Sequence, residues 1–152
     1  MIRKRTALIL GTLALAAVAL VPAAGASAAT VEVRKTAFGE LLTNSRGMTL
    51  FMFSADVKNF DECVMITNCT GTWPPLFAEG PVTAGPGLNP KKLRTITLPG
   101  GSQQVTYNHH ALYEYVGNVG EGETSYINVI EFGGYWWGIN AKGKAVSKAP
   151  RR

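Results

Sequence analysis

The sequence predicts a small all-β domain, a sandwich or barrel built from two related β units. Three observations carry that prediction. Short runs rich in β-branched and aromatic residues are separated by Gly-, Pro- and Asn-containing turns. No stretch after residue 30 holds a 3.6-residue apolar stripe over three turns. An ordered set of residues also recurs about 62 positions apart.

The elements follow in order along the chain. Val31 to Thr36 alternates apolar and polar residues, and Thr49 to Phe53 is apolar on both faces. Leu93 to Leu98 alternates cleanly. Pro99-Gly100-Gly101 turns it into a return strand from Gln103 to Tyr107, and Asn108-His109-His110 turns that into a third strand from Ala111 to Val116, a three-strand meander. Tyr126 to Phe132 and Tyr135 to Asn140 flank a turn at Gly133-Gly134, and Lys144 to Ser147 is a short last strand.

Residues 1–28 read differently. Arg3, Lys4 and Arg5 precede an apolar run from Ala7 to Val21. Pro22 breaks that run, and small residues lead to Ala26-Ser27-Ala28, so a secretory signal peptide cleaved after Ala28 or Ala29 is expected. The run is shorter than the ~20 apolar residues of a spanning helix. A secreted, extracellular bacterial protein follows, with no lipid anchor because no Cys sits at the cleavage point, and with no membrane span after cleavage. Removing residues 1–28 lowers the formal net charge from +5 to +2. The basic character therefore belongs mostly to the leader, and no nucleic-acid partner is expected. The domain is expected over 30–147, and 148–152 is a basic, solvated tail.

Cys63 and Cys69 are the two cysteines. In an exported chain such a close pair reads as a disulfide, worth about 2 kcal/mol by loop closure. The alternative is half of a tetrahedral metal site.

The internal repeat pairs Gly39 with Gly101, Leu50 with Leu112, Phe51 with Tyr113, Phe53 with Tyr115, and Asp56 with Asn118. One residue further on it pairs Trp73 with Trp136 and Gly80 with Gly143. The units span about 39–80 and 101–143. Two units are too few for a solenoid, so one domain with pseudo-twofold symmetry is expected.

Phe51-Met52-Phe53-Ser54-Ala55-Asp56 and Tyr113-Glu114-Tyr115-Val116-Gly117-Asn118, with Arg46-Gly47-Met48-Thr49-Leu50, the Cys pair before Trp73-Pro74-Pro75-Leu76, and Gln104-Val105-Thr106-Tyr107-Asn108, carry a resemblance. The chain resembles a family of bacterial secreted proteins and lipoproteins of unknown function with a repeated Y-x4-D motif. The likeness runs over roughly 39–146. It implies an envelope or secreted location and a duplicated β-fold, and no activity. The chain departs from the pattern with Phe at 51 where Tyr is usual and Asn at 118 where Asp is usual.

Phe51 and Phe53, and likewise Tyr113 and Tyr115, are two apart and share a strand face, so they read as core. Asp56 and Asn118 follow them and read as turn-pinning residues. Trp73, stiffened by Pro74 and Pro75, and Tyr135 with Trp137 are candidate binding residues for a cell-wall polymer or an envelope protein, because exposed aromatics stack on sugars and anchor partners. Trp136 and Trp137 point to opposite faces, so one is core. His109 and His110 share a turn with Met48 at a comparable place in the first half. Imidazole and thioether suit copper, which makes these three a candidate metal set, although no cofactor is expected. No nucleophile motif, phosphate-binding loop or metalloprotease helix is present, and no enzyme activity is expected. A secreted, non-catalytic binding module of the bacterial envelope is the leading expectation. A metal- or redox-handling protein and a structural protein without a small ligand are the alternatives.

Overall fold

The computed structural model describes residues 30–149. The leader, its cleavage point and the last three residues of the basic tail lie outside the described residues. The chain folds as β1 (Val31–Thr36), β2 (Gly39–Asn44), β3 (Phe51–Phe53), a one-turn helix α1 (Cys69–Thr72), β4 (Leu93–Thr97), β5 (Gln103–Tyr107), β6 (His110–Ala111), β7 (Val129–Glu131), β8 (Gly134–Ile139) and β9 (Ala145–Val146). Single 3-10 turns occupy Cys63–Met65 and Pro90–Lys92. The strands form three antiparallel sheets: β1-β2, β3-β8-β7 with β9 also on β8, and β4-β5-β6. These sheets stay open and are tied together by isolated bridges, so the barrel alternative is not realised among the described residues.

One strand was not expected, and two expected strands shorten. Gly39–Asn44 is a strand the sequence pattern hid, because Leu41, Leu42, Thr43 and Asn44 are all buried and leave no alternation to read. Its hairpin also turns on Ala37-Phe38, which carry no turn signal. Thr36 closes it by donating its hydroxyl to the Gly39 carbonyl and accepting from the Phe38 amide. The expected strand from Ala111 to Val116 shrinks to His110–Ala111. Its backbone bonds diverge: the Leu112 amide goes to Val105, the Tyr113 amide to Phe51, the Glu114 amide to Pro74 and the Val116 amide to Thr72. A segment shared among four partners is not a single ladder. Tyr126 to Phe132 likewise shortens to Val129–Glu131, and the turn moves to Phe132-Gly133, both at positive φ.

At the centre, Phe51 and Tyr113 exchange both backbone hydrogen bonds at 2.9 Å. The contacts around them occur twice. Trp73 and Trp136 stack on each other, 4.1 Å apart and 2° from parallel. Phe51 meets Trp73 edge-on at 5.1 Å, and Tyr113 meets Trp136 edge-on at 5.1 Å. Phe53 lies on Trp136 at 4.3 Å, and Tyr115 lies on Trp73 at 4.4 Å. Pro75 bridges Tyr113 as Gly138 pairs with Phe51. The Asp56 amide bonds to the Phe53 carbonyl, and the Asn118 amide to the Tyr115 carbonyl. Each indole packs mainly against aromatics of the other half of the chain as well as its own. Edge-on and offset aromatic pairs each add about 0.5–1.5 kcal/mol beyond area burial, so this centre is a main source of cohesion. A second apolar cluster, with Leu42, Leu50, Met52, Tyr107 and Leu112, fills the other side of the sheets.

Candidate functional site

A paired, part-exposed aromatic face lies on β8. Alternation along that strand puts Trp136 on one side, fully buried in the stack, and Tyr135, Trp137 and Ile139 on the other. That second side runs from solvent into the core: Tyr135 is 42% exposed, Trp137 half-buried and Ile139 fully buried. The Tyr135 and Trp137 rings are near-parallel, 13° apart in plane and 5.7 Å between centres. The Trp137 indole N–H donates to Asn128 Oδ1 at 3.2 Å, which orients that ring, and Ser54 Oγ accepts the Tyr135 backbone amide at 2.7 Å, which anchors the strand beneath the Tyr135 ring. Ile130, 65% exposed, sits directly opposite Tyr135 on β7 and widens the apolar face. Ile130 is the residue sequence reasoning missed. Its signal was the Val-Ile-Glu run paired across the Phe132-Gly133 turn, which becomes readable once the register of that hairpin is known.

Trp73 requires a correction. It is fully buried, and its indole N–H donates to Glu131 Oε2 at 2.7 Å. It cannot present a surface to a polymer. The two prolines that follow it direct the chain to the Tyr113 bridge instead.

The candidate metal residues have separate neighbours. His109 sits in the β5-β6 turn at φ 72°, and its Nδ1 faces Asn59 Oδ1 at 3.1 Å. His110 is half-buried, and burial followed by the charge of His109 holds its pKa below the ordinary imidazole value. Met48 lines a small pocket beside Tyr115 and Asn118 instead. Among the described residues no group of three or more His, Cys, Asp or Glu side chains is arranged to hold a metal ion.

Cys63 and Cys69 are joined in a disulfide, Cα atoms 5.3 Å apart, and both are fully buried against the indole cluster. The segment that leads into this bridge carries Asp56 and Asp61. Asp56 Oδ2 accepts the Tyr113 hydroxyl at 2.8 Å and Oδ1 accepts the Glu62 amide at 2.9 Å. Burial pushes the Asp56 carboxyl up to about 7 against the pull of those two hydrogen bonds, and the neighbouring charges of Asp61 and Glu62 add to the rise. Asp61 is also raised by burial. Both acids lie around the Tyr113 hydroxyl, whose pKa burial and their charges drive far above the ordinary phenol value. Asp56 thus holds the Glu62 amide and ties the first half to the second. Asn118 corrects the expectation that its side chain pins the matching turn: it is buried, and neither amide atom is hydrogen-bonded among the described residues.

A cleft of about 690 Å³ is bounded by the Asn44 turn, the Pro75–Val82 segment and Glu114. A smaller pocket of about 210 Å³ adjoins it and shares Arg46 and Glu114. In the sequence both stand inside motifs, Arg46 before Gly47 and Glu114 between Tyr113 and Tyr115, with nothing there to give either a role.

Comparison with protein-family models, with curated proteins and with solved structures finds no match for this chain.

Proposed function

We propose that this chain is an exported, non-catalytic binding module of the bacterial envelope, and that it holds a wall polysaccharide through Tyr135, Trp137 and Ile130. The observation that carries this reading is the Tyr135 ring, 42% exposed and held near-parallel on Trp137 in a strand whose other face is locked into the core. A rigid aromatic with an open face offers a sugar ring its C–H edges to stack upon at little entropic cost. The three-part leader and the disulfide support an oxidising, extracytoplasmic setting. The doubled motifs, packed around the Phe51–Tyr113 pair, support the resemblance to the secreted Y-x4-D proteins.

Retention of the mature protein on purified bacterial cell walls tests the proposal. The wild type is expected to be retained. Tyr135→Ala and Ile130→Ser are expected to wash off while keeping the wild-type melting temperature, since both side chains face solvent. Equal retention of Tyr135→Ala and wild type, or no retention of either, would overturn it.

A further inference from the structure

The Asn44 turn is built twice in this fold, and the two copies differ in one respect. In the first, Asn44 Oδ1 accepts the Arg46 and Met48 amides, Gly47 bonds back to the Asn44 carbonyl at φ 76°, and Asn44 and Met48 pair through the backbone. In the second, Asn140 does the same with Lys142, Gly143 (φ 76°) and Lys144. The turn itself therefore needs only the Asn carbonyl oxygen. Asn44, only 3% exposed, spends its remaining amide group on Glu114 Oε1. Arg46 Nη2 reaches that same oxygen at 3.1 Å.

Where the first half has Met52, a buried core residue, the second has Glu114, a carboxylate held by a buried asparagine. With both donors on Oε1, the Oε2 atom accepts no hydrogen bond among the described residues. The side chain is 25% exposed and forms a wall common to the 690 Å³ cleft and the 210 Å³ pocket. Arg46 uses one guanidinium nitrogen on Glu114, and with its side chain 73% exposed it leaves the other donors free over the same opening. The rest of the cleft wall includes Pro75, Leu76 and Phe77, and Phe77 is 49% exposed.

We propose that this cleft binds a short peptide carrying a free primary amine and a carboxylate, with the ammonium on Glu114 Oε2, the carboxylate on the free edge of Arg46, and the aliphatic part of the side chain against Pro75 and Phe77. An immobilised carboxylate with an open lone pair is a cation acceptor, and the planar guanidinium beside it is a carboxylate acceptor. Side by side they suit one ligand bearing both charges. The cleft volume falls in the range of small-ligand sites. The proposal does not depend on sugar binding at Tyr135, which uses a different surface.

Titration of the isotope-labelled mature protein with the dipeptide Lys-Ala, followed by amide NMR shifts, tests it. Saturable shifts centred on Asn44, Arg46 and Glu114 are expected. Glu114→Gln, which keeps the acceptor for Asn44, is expected to weaken the dipeptide about tenfold. Arg46→Gln is expected to weaken it less, and to abolish the difference between Lys-Ala and its methyl ester. An acetylated Ala-Ala without an amine is expected to give no shifts. Shifts that never saturate, shifts centred elsewhere, or equal affinity for wild type and a Glu114→Gln variant with an intact spectrum would each overturn the site. Retention of Glu114→Gln on cell walls, lost in Tyr135→Ala, separates failure here from failure of the polysaccharide reading.

Discussion

The two halves of the molecule meet at one pair of indoles and differ in what stands behind them. In the first, Asp56 reaches across to the Tyr113 hydroxyl. In the second, Asn118 stands in the corresponding turn, but the residue that corresponds to Tyr113 is Phe51, which has no hydroxyl, and the Asn118 amide is buried without a partner. The differences between the halves, Phe for Tyr at 51 and Asn for Asp at 118, therefore fall on one corresponding pair. The difference shows that the aromatic packing and the turn bond are what both halves need, while the charge is kept in one half only. A buried carboxylate costs several kcal/mol unless it is hydrogen-bonded or neutralised. With no hydroxyl to receive, an amide is the cheaper occupant of that turn.

The comparison can be broken first where the halves agree. Trp73→Ala and Trp136→Ala should each cost about 3–5 kcal/mol, because either removes a fully buried indole from the same stack. Chemical denaturation of the two variants would show it, and a marked inequality would mean that the halves are not equivalent at the centre. Next comes pH. The Asp56 pKa is raised on folding from 3.8 to about 7. Its contribution is thus fully present below about pH 4 and fades as pH climbs through 7, up to about 4 kcal/mol in all. Denaturation midpoints should fall from about pH 4 and level off just above pH 7. Asp56→Asn, which copies the second half into the first, should flatten that slope.

A smaller effect is expected for Tyr113→Phe, which copies Phe51 and leaves Asp56 with only the Glu62 amide. The cost should be about 1–3 kcal/mol, larger at pH 8 than at pH 5, since the lost bond matters more to the ionised carboxylate. The smallest change expected is a gain. Phe51→Tyr offers Asn118 the hydroxyl it lacks and should raise stability by about 0.5–1.5 kcal/mol. Lowered stability in that variant would show that Asn118 and residue 51 do not face one another as Asp56 and Tyr113 do.

Much of this arrangement was legible in the residues. The recurrence of Phe51-x-Phe53-x-x-Asp56 as Tyr113-x-Tyr115-x-x-Asn118 marked the aromatics as core; Phe51, Phe53 and Tyr113 are buried and Tyr115 partly so, whereas the Asn118 side chain does not pin its turn. The opposed faces of Trp136 and Trp137 follow from strand alternation alone. Three features were not legible. Trp73 looked like a surface residue because prolines follow it, yet its burial depends on Trp136, which is distant in sequence and arrives by tertiary packing. The β2 strand has no alternation, because both its faces are covered. Glu114 is one acid among several in sequence, and only the fold brings the Asn44 amide and the Arg46 guanidinium to it.

Because the central backbone bonds join Phe51 to Tyr113, and the indole of Trp73 finds its stacking partner only at Trp136, chain order imposes a schedule. A chain emerging from its amino end presents Phe51, Phe53 and Trp73 well before residues 113–136 exist to cover them. The short Cys63–Cys69 loop can close at once, whereas the loop between the central partners must pay its closure entropy late. Until then the leading half is an uncovered aromatic surface, and its passage to the folded state is the interval in which aggregation or a holding chaperone competes for it.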